Sequence, residues 1–357
     1  MEKSFGMNKI VVDGRFFKKK PAGVTRYIVN ILKNLNKDIK IEIISNNKIF
    51  IPAELKDRKE VEVIEYRIFS FLPGTIFNMF IVPFVCKLNK NEFYWGGCHS
   101  IPLGMKNTIL TVHDLVAFKY GNTMTLTNRL LNIFSLKLSL YSTKYIHSVS
   151  QITKDDLLGK FKKLKKKITI VPNSVDLNLF NKNGLKVKFN YLLYVGTFEP
   201  RKNIETLIKS YIELRELNIY EGKLVLIGLR GWKNKSLIKL IDSSLFRNDI
   251  ITPGYITDEK LAEYYRGTDL FVFPSLYEGY GIPPLEAYCC GVKVVTSVHT
   301  EIASMKLNNV FNFDPDSDNL TNIIKEALNF ERIDSIDRII SWEEVSNSFL
   351  KTLDIHE

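Results

Sequence analysis

The sequence predicts an α/β protein made of two doubly wound domains. The chain has 357 residues, too many for one ordinary core and suited to two domains of roughly 150–200 residues. Short apolar runs alternate with helical patterns twice along the chain, which is typical of parallel sheets covered on both faces. A polar stretch at 181–190 separates the two series. We therefore place one domain at 1–180 and a second at 187–340.

The first half opens as strand, loop and helix. The apolar run Ile10–Val12 ends in Asp13-Gly14, and after Gly23 the apolar positions 24, 27, 28, 31 and 32 recur at helical spacing. Further strands are predicted at 41–44, 108–112 and 168–171. Between the last two strands, helical patterns run over 126–145 and 154–161.

An uncharged stretch of 18 residues runs from Phe69 to Cys86. It is short for a membrane span and contains helix breakers. These breakers are Pro73, Gly74, Asn78 and Pro83. We expect a buried or interfacial helix, with an aromatic-rich surface if one face is exposed. The side chains available for that surface are Phe77, Met79, Phe80 and Phe84.

The second half repeats the alternation of strands and helices. Strands are predicted at 191–195, 223–228, 270–274 and 294–296, and a helix begins near Asn203. Thr257 is a suitable N-cap for a helix at 258–266, whose first turn carries acidic residues. In doubly wound sheets, ligands bind beyond the carboxyl ends of the strands. The loops that follow the strands are therefore the places to look for chemistry.

The loop after the strand at 270–274 carries the most informative motif, Ser275 to Gly291. Gly279 and Gly281 allow the backbone to turn and approach a ligand closely. Two prolines then begin a helix, whose N-terminus is a suitable phosphate site. Glu286 is expected in the first turn, where it would cap the helix. Glu278 has no evident packing role, so both carboxylates could instead accept hydrogen bonds from sugar hydroxyls.

A second motif, Gly196 to Asn203, follows the strand at 191–195. Arg201 and Lys202 lie at the start of a helix, where the helix dipole disfavours cations. They are either a solvated face or the partners of an anionic ligand. A diphosphate bound between these cations and the glycine loop would satisfy both sites.

Composition and charge exclude several classes of protein. With 45% hydrophobic and 25% charged residues, the chain is neither disordered nor a disulfide framework. The N-terminus lacks the apolar core of a signal peptide, so we expect a cytoplasmic protein with four free cysteines. Residues 1–185 carry 30 basic and 14 acidic side chains (+16), and 186–357 carry 20 and 25 (−5). The two domains should therefore meet different partners.

Several stretches together resemble the retaining family-4 glycosyltransferases. They are Gly23-Val24-Thr25-Arg26-Tyr27, His113-Asp114-Leu115, 171–176, Gly196 to Asn203, Gly254-Tyr255-Ile256, Glu278 with Glu286, and Ser341-Trp342-Glu343. The resemblance implies two Rossmann-like domains facing a central cleft, the GT-B architecture, with a C-terminal helix at 341–357 completing the first domain. The stretch Gly-Thr-x-Glu-Pro-Arg-Lys-Asn is similar to mannosyltransferases of bacterial surface-polysaccharide (O-antigen and capsule) assembly.

The resemblance also implies a role for each matching residue. Lys202, with Arg201 beside it, would hold the donor diphosphate, and Thr197 stands where many relatives carry an arginine. Glu286 would bind the ribose, and Glu278 would bind the transferred sugar with backbone groups of Gly279, Tyr280 and Gly281. Tyr255 and Ile256 would lie against the base. Gly23 and His113 would line the cleft near the phosphates and sugar.

The implied reaction is retaining hexose transfer without a metal or other cofactor. Lys202, Arg201 and a helix N-terminus would stabilise the leaving diphosphate, which can itself accept the acceptor's proton. A covalent intermediate on Glu278 is the competing mechanism. GDP-mannose is the favoured donor, with dTDP- or UDP-sugars as alternatives. A nucleotide-sugar epimerase of the same architecture and a non-catalytic binding module are the other functional hypotheses.

Lysines concentrate in the basic half, at 18–20 and at 160, 162, 163 and 165–167. They form a solvated face, a nucleic-acid site or a surface for anionic membrane. No nucleic-acid motif accompanies them. Since acceptors in the polysaccharide branch of this family are lipid-linked saccharides, we expect a peripheral enzyme on the inner face of the cell membrane. The acidic run 314–318 has the wrong pattern for a calcium loop, and we interpret it as a turn before a helix.

Overall fold

The computed structural model describes residues 7–19, 23–164, 166–229, 231 and 235–353. The chain divides into two compact units: Met1–Ser174 with Ile340–Glu357, and Val175–Ile339. Lys20 and Lys165 of the basic runs lie outside the described residues, as does the end of the predicted C-terminal helix. Each unit contains a parallel sheet with helices between the strands, so the predicted pair of Rossmann-like doubly wound domains is confirmed.

The first unit contains a seven-stranded sheet in the order β3-β2-β1-β4-β5-β6-β7. Its strands are β1 Lys9–Asp13, β2 Lys40–Ser45, β3 Val61–Glu65, β4 Glu92–Gly96, β5 Thr108–Val112, β6 Tyr145–Ser148 and β7 Ile168–Ile170. Its helices are α1 Gly23–Lys33, α2 Ala53–Lys56, α3 Gly74–Ile76, α4 Val82–Val85, α5 Val116–Lys119, α6 Leu126–Ser142 and α7 Gln151–Lys160. All five residues of β5 are buried, as expected for a central parallel strand.

The helix predicted at 126–145 is wrong at its C-terminal end. α6 ends at Ser142, and Tyr145–Ser148 is a fully buried strand, β6, which pairs with β5 and β7. A strand of four residues that follows a helix so closely cannot be distinguished from the end of that helix by periodicity alone. Thr143 caps the C-terminus of α6. Its Oγ1 donates to the carbonyl of Thr108 on β5, 3.0 Å away, and so directs the chain towards the sheet.

The uncharged stretch at 69–86 is helical and only partly buried. A π-helical turn at Phe77–Ile81 joins α3 to α4. Phe77 and Met79 are buried, so the predicted aromatic surface loses those two residues. Phe80 and Phe84 remain exposed, and Ile68 and Phe71 join them. No helix within the described residues is long and apolar enough to cross a membrane.

The second unit contains a six-stranded sheet in the order β10-β9-β8-β11-β12-β13. Its strands are β8 Tyr191–Val195, β9 Lys223–Ile227, β10 Ile250–Gly254, β11 Leu270–Phe273, β12 Val294–Ser297 and β13 Val310–Phe313. Its helices are α8 Ile204–Glu216, α9 Lys235–Ser243, α10 Asp258–Gly267, α11 Ile282–Cys289, α12 Glu301–Ser304 and α13 Leu320–Asn329. The predicted N-cap is confirmed, because the Thr257 side chain accepts a hydrogen bond from the Lys260 amide.

The boundary between the units lies at Ser174 and Val175, whereas the sequence places the second domain at 187–340. The segment from 175 onward belongs to the second unit because α10 holds it there. The Arg266 guanidinium donates to the carbonyls of Leu179 and Leu185, at 3.3 and 2.8 Å. Phe180 packs against Tyr265 with ring centroids 5.8 Å apart.

A last helix, α14 Trp342–Lys351, belongs to the first unit. Ser341 and Glu344 form a capping box at its start. Its inner face carries Phe349, which packs against Trp95 of β4 with ring centroids 4.8 Å apart. The Ser346 hydroxyl donates to the Ile31 carbonyl of α1. The end of the chain therefore helps to cover the first sheet.

Candidate active site

Strand order places the second unit's motif loops at one crevice. Successive strands run from β8 through β9 to β10 on one side of the sheet, and from β11 to β13 on the other. The direction reverses between β8 and β11, which makes this pair the topological switch point. In doubly wound sheets, ligands bind beyond the carboxyl ends of the strands at that point. The loops that follow β8 and β11 are the two motifs that the sequence singles out.

A group of charged side chains joins these two loops. Lys202 Nζ donates to Glu278 Oε1 at 2.5 Å, and Arg201 Nη1 lies 3.0 Å from the same oxygen. Arg201 also donates to the Tyr277 carbonyl at 2.6 Å and to Glu199 Oε1 at 2.6 Å. The group, which we call the charged cluster, consists of Glu199, Arg201, Lys202 and Glu278.

The charged cluster is mostly shielded from solvent and carries no net charge. The side chains of Lys202, Arg201 and Glu278 are only 12–13% exposed. Burial raises the pKa of Glu278, but Lys202 and Arg201 outweigh burial and hold that pKa at about 2. Burial lowers the pKa of Lys202. Because Glu199 and Glu278 compensate both cations, the cations do not by themselves require a bound anion, contrary to the interpretation from the sequence.

Backbone conformation fixes the position of Lys202. Lys202 ends a 3-10 turn at Pro200–Lys202, and Asn203 then adopts a left-handed conformation with φ 55° before α8 begins. The two cations therefore precede α8 and do not lie inside its first turn. The Leu276 amide donates to the Arg201 carbonyl at 2.8 Å, so the loops after β8 and β11 are also joined through the backbone.

The glycine loop leads into α11 as the sequence predicts. Gly281 has φ 90°, which favours glycine, and it precedes the helix. Pro283 and Pro284 occupy the first turn, where their missing N–H groups cost little. Tyr280 is buried, and the structure shows no hydrogen-bond partner for its hydroxyl group.

Glu286 does not cap α11. It is the fifth residue of that helix, counting from Ile282, and the first turn contains no acidic residue. The side chain is 4% exposed and accepts a hydrogen bond from the Tyr265 hydroxyl at 2.9 Å. The capping interpretation is therefore wrong, and sequence reasoning missed Tyr265 because it comes from another helix, α10.

The other predicted residues of the second unit lie on loops at the carboxyl edge of the same sheet. Thr197 is exposed in the loop after β8. Tyr255 and Ile256 follow β10, and Tyr255 is half exposed. His299 belongs to the loop after β12, and its carbonyl accepts from the Glu278 amide at 3.1 Å.

One group of side chains in the described residues has the composition of a metal site. The ligand atoms of His299, Asp314 and Asp316 lie within 4.8 Å of one another. Asp314 and Asp316 belong to the turn that precedes α13, and the Asp316 amide donates to Asp314 Oδ1. All three side chains are at least partly open to solvent, and the expectation that the protein needs no metal stays a prediction.

Gly23 and His113 belong to the first unit. Gly23 begins α1, and His113 follows β5. His113 Nε2 lies 2.9 Å from the Gly97 carbonyl, so this nitrogen carries the proton and donates. Burial and the neighbouring His99 lower the pKa of His113 to about 4. His113 is therefore a neutral imidazole near pH 7, held edge-on against Tyr27 with ring centroids 5.1 Å apart.

Residues 176–339 match the model of the family Glycosyl transferases group 1. The matched range almost coincides with the second unit. The second unit is therefore similar to this family over almost its whole length. The resemblance that the motifs carry is confirmed, and the matched range contains the charged cluster, the glycine loop and Glu286.

Two curated relatives match over a longer range than the family model does. The chain is 33% identical over 224 residues to O-antigen chain mannosyltransferase B of Escherichia coli, and this alignment covers 60% of this chain and 58% of that protein. It is 28% identical over 220 residues to O-antigen chain mannosyltransferase RfbU of Salmonella typhimurium, and this second alignment covers 62% of this chain and 60% of that protein. The matches thus span less than two thirds of each relative.

A solved structure supports the fold over nearly the whole chain. Anabaena Alr3699/HepE, crystallised with UDP and glucose, is 15% identical and has a TM-score of 0.68. The alignment covers 97% of this chain and 95% of that one. The likeness in fold therefore includes the first unit, which lies outside the family match.

Proposed function

We propose that this chain is a retaining glycosyltransferase of cell-surface polysaccharide biosynthesis. It transfers a hexose, with mannose favoured, from a nucleotide-sugar donor to a lipid-linked saccharide acceptor. The observation that carries the proposal is the charged cluster at the switch point of the second unit, which matches the group 1 family. The similarity to two O-antigen chain mannosyltransferases supports mannose, and so GDP-mannose, as the donor choice.

Lys202 and Arg201 would hold the donor diphosphate. In the free protein Glu278 bonds to both cations, so donor binding exchanges part of this contact for phosphate oxygens. Charge-assisted bonds of this kind are short and strong. As the sugar leaves, negative charge grows on the diphosphate, and the two cations stabilise it in a site from which water is largely excluded.

Glu278 would bind hydroxyl groups of the transferred sugar. Its low pKa keeps it ionised at every physiological pH, so it accepts hydrogen bonds and cannot act as an acid. The backbone at Gly279, Tyr280 and Gly281 would complete the sugar site, and Glu286 would bind the ribose. Tyr255, Ile256 and Thr197 would border the nucleotide.

The first unit would supply Gly23 and His113 to the reaction. The His113 Nε2 proton is engaged by the Gly97 carbonyl, so the other ring nitrogen is the one that can accept a proton or hydrogen bond. The leaving diphosphate would take the acceptor's proton, and the reaction needs neither a protein nucleophile nor a metal or cofactor.

The proposed location is the inner face of the cell membrane. In the first unit, Ile68, Phe71 and Phe84 are 77–81% exposed, and Phe80 is 40% exposed. Three of these four residues are aromatic, and we call the set the aromatic face. The basic residues of the same half of the chain would attract anionic lipid, and the proposal includes no nucleic-acid partner.

A donor screen tests the function. GDP-, UDP-, dTDP- and ADP-sugars are titrated into the protein by calorimetry, and the anomer of any product is read by NMR. We expect GDP-mannose to bind, and Lys202→Ala to weaken it at least about tenfold, the loss of one bond between charged groups. Lys209→Ala, an exposed lysine on α8, is the matched control. Equal binding by both variants, or no binding of any nucleotide sugar, would overturn the proposal.

A further inference from the structure

A cavity of about 280 Å³ lies at the amino edge of the first sheet, close in size to the smallest ligand pockets of proteins. Lys144 directly precedes β6 and Lys167 directly precedes β7, two neighbouring parallel strands. His113 follows β5 and so lies at the opposite, carboxyl edge, where doubly wound sheets bind their substrates. The residues that line the cavity include Lys144, His147, Lys166, Lys167, Thr169 and Thr352. We call it the lysine cavity.

The lysine cavity is positively charged. Three of the residues that line it are lysines, and none of its lining residues within the described part of the chain is acidic. Lys166 is held in the wall, because its Nζ donates to the carbonyls of Tyr141 and Thr143 at 2.7 and 2.5 Å. Lys144 and Lys167 are exposed, so their ammonium groups can turn towards an anion.

His147 brings a buried acceptor without a partner to the lysine cavity. Its Nε2 lies 2.8 Å from Thr352 Oγ1, and that hydroxyl already donates to the Phe349 carbonyl at 2.7 Å. The Thr352 oxygen is therefore the acceptor, and Nε2 carries the imidazole proton. Nδ1 is left as a bare acceptor, and it has no partner among the described residues. Since buried polar atoms are nearly always hydrogen-bonded, this nitrogen indicates a ligand that has a proton to donate.

Thr169 adds a hydroxyl group beside His147. The two residues are register partners on β7 and β6, so their side chains lie on the same face of the sheet. Thr169 is partly exposed, and its hydroxyl can donate to an oxyanion. The lysine cavity thus offers two ammonium donors, one hydroxyl donor and one bare acceptor.

This set of groups favours an anion that still carries an O–H. A carboxylate or a sulfate is fully ionised near neutral pH, so it would satisfy the lysines and leave His147 Nδ1 without a donor. A phosphate monoester has a second pKa of about 6, and its singly protonated form is both an anion and an O–H donor. It therefore matches all four groups at once.

We propose that the lysine cavity binds a phosphate monoester in its singly protonated form. The two unprotonated oxygens accept hydrogen bonds from Lys144, Lys167 and Thr169, and the P–O–H group donates to His147 Nδ1. The inference does not rest on the proposed function, because none of these residues is assigned to sugar transfer. The shared chemistry is a phosphate monoester, whether on a small soluble molecule or on the headgroup of a lipid.

Hydrogen exchange on the full chain at pH 6 tests the site. Glycerol 3-phosphate is the soluble probe, and about half of it is singly protonated at this pH. Sulfate is the matched anion, since it has the same tetrahedral shape and no proton. Exchange is read in β6 and β7, so that phosphate bound elsewhere does not count. Vesicles of phosphatidylcholine with phosphatidic acid, a lipid monoester, are compared with vesicles containing phosphatidylglycerol, a lipid diester.

We expect glycerol 3-phosphate to slow exchange in β6 and β7 at a lower concentration than sulfate does. Lys144→Ala and Lys167→Ala should each raise the half-protecting concentration at least about tenfold, the loss of one hydrogen bond between charged groups. Lys163→Ala is the matched control, because Lys163 is an exposed member of the same lysine run and does not line the cavity. It should behave as the unmodified protein.

The vesicles identify the source of the phosphate group. Protection by phosphatidic acid beyond that given by phosphatidylglycerol supports a lipid headgroup as the ligand, and protection by glycerol 3-phosphate alone supports a soluble one. Three results would overturn the inference: no probe protects β6 and β7, sulfate protects as well as glycerol 3-phosphate, or Lys167→Ala and Lys163→Ala respond equally. Failure of the proposed function would be seen separately, as the absence of nucleotide-sugar binding in calorimetry.

Discussion

The surroundings of Glu278 differ from what the sequence predicts for the two neighbouring cations. The motif alone suggests that Arg201 and Lys202 await an anion, but Glu278 contacts both of them and Glu199 contacts Arg201. In the proposed function, Glu278 would compete with the donor diphosphate for the same cations and would bind the sugar beside them. Removing its charge should separate the two roles.

We expect Glu278→Gln to abolish sugar transfer and to keep GDP binding. Binding should tighten by up to about tenfold, because the amide competes less for Lys202 than the carboxylate does. Calorimetry with GDP and a transfer assay measure the two effects. Glu199→Gln is the control, because it also removes a carboxylate of the charged cluster but should retain transfer. Loss of GDP binding in Glu278→Gln would contradict the assignment of Glu278 to the sugar.

His147 is a buried titratable residue of the first unit. It lies on β6 with 1% exposure, and its Nε2 bonds to Thr352 at 2.8 Å. Burial lowers its pKa to about 3. The folded state keeps it neutral while the unfolded chain protonates it near pH 6.5, so its contribution to stability is present above pH 6.5 and is lost as the pH falls towards 3.

We expect His147→Gln to reduce the pH dependence of stability. Between pH 6.5 and 4 the unmodified protein should lose about 3 kcal/mol through this histidine, and the variant should lack that loss. Urea unfolding at pH 7 and pH 4, followed by hydrogen exchange in β5 and β6, measures the difference. An unchanged difference between the two pH values in the variant would show that His147 is protonated in the folded state.

At the scale of elements, α14 shows how a distant segment completes a domain. Trp342, Val345 and Phe349 are buried in the first unit, although more than 160 residues of the other unit separate them from Ser174. Phe349 contacts Trp95 on β4 and His147 on β6. Its packing therefore supports the middle of the first sheet.

We expect Phe349→Ala to destabilise the first unit by about 3–5 kcal/mol, the usual cost of emptying a buried aromatic site. Ser341→Ala should cost about 1 kcal/mol, because it removes the helix cap. Hydrogen exchange in β4 and β6 reports on the first unit alone. Phe330→Ala, at a 41% exposed position of the second unit, is the control. Full protection of β4 in Phe349→Ala would show that α14 is dispensable for the first sheet.

The strands and loops of each unit differ in how well their sequence predicts them. β8 is a continuous apolar run and β5 is rich in β-branched residues, so the pattern defines them. β6 was not predicted because Tyr-Ile-His-Ser follows a helix without a glycine or proline between them. The candidate site residues also differ in how well the sequence predicts them. Local motifs predict Lys202 and Glu278. The contacts between Tyr265 and Glu286 and between His99 and His113 were not predicted, because each joins two separate elements. Such contacts depend on tertiary packing, which no local pattern records.

At the scale of the whole molecule, the two units have the same kind of sheet but differ in charge. Each sheet has a topological switch point, between β1 and β4 in the first unit and between β8 and β11 in the second. In the second unit the two cations of the charged cluster are paired with Glu199 and Glu278. In the first unit the cavity at the switch point is lined by Lys18, Lys48 and Arg15, of which Arg15 is paired with Asp13. The excess positive charge belongs to the first half of the chain, and the anionic lipid named in the proposed function carries the opposite charge.

Membrane attachment should depend on the aromatic face as well as on charge. We expect vesicles containing anionic lipid to bind the protein at low salt and to release part of it at high salt, because exposed lysines are screened. Phe71→Ser with Phe84→Ser should weaken binding at least about tenfold, since each phenylalanine gains more than 1 kcal/mol on burial. Vesicle co-sedimentation measures both effects. Leu245→Ser, at a 90% exposed position of the second unit, controls for a general loss of hydrophobicity. If the Phe71→Ser, Phe84→Ser double variant binds vesicles as well as Leu245→Ser does, the aromatic face is not the membrane contact. If the protein binds neutral and anionic vesicles equally, charge does not contribute to membrane binding.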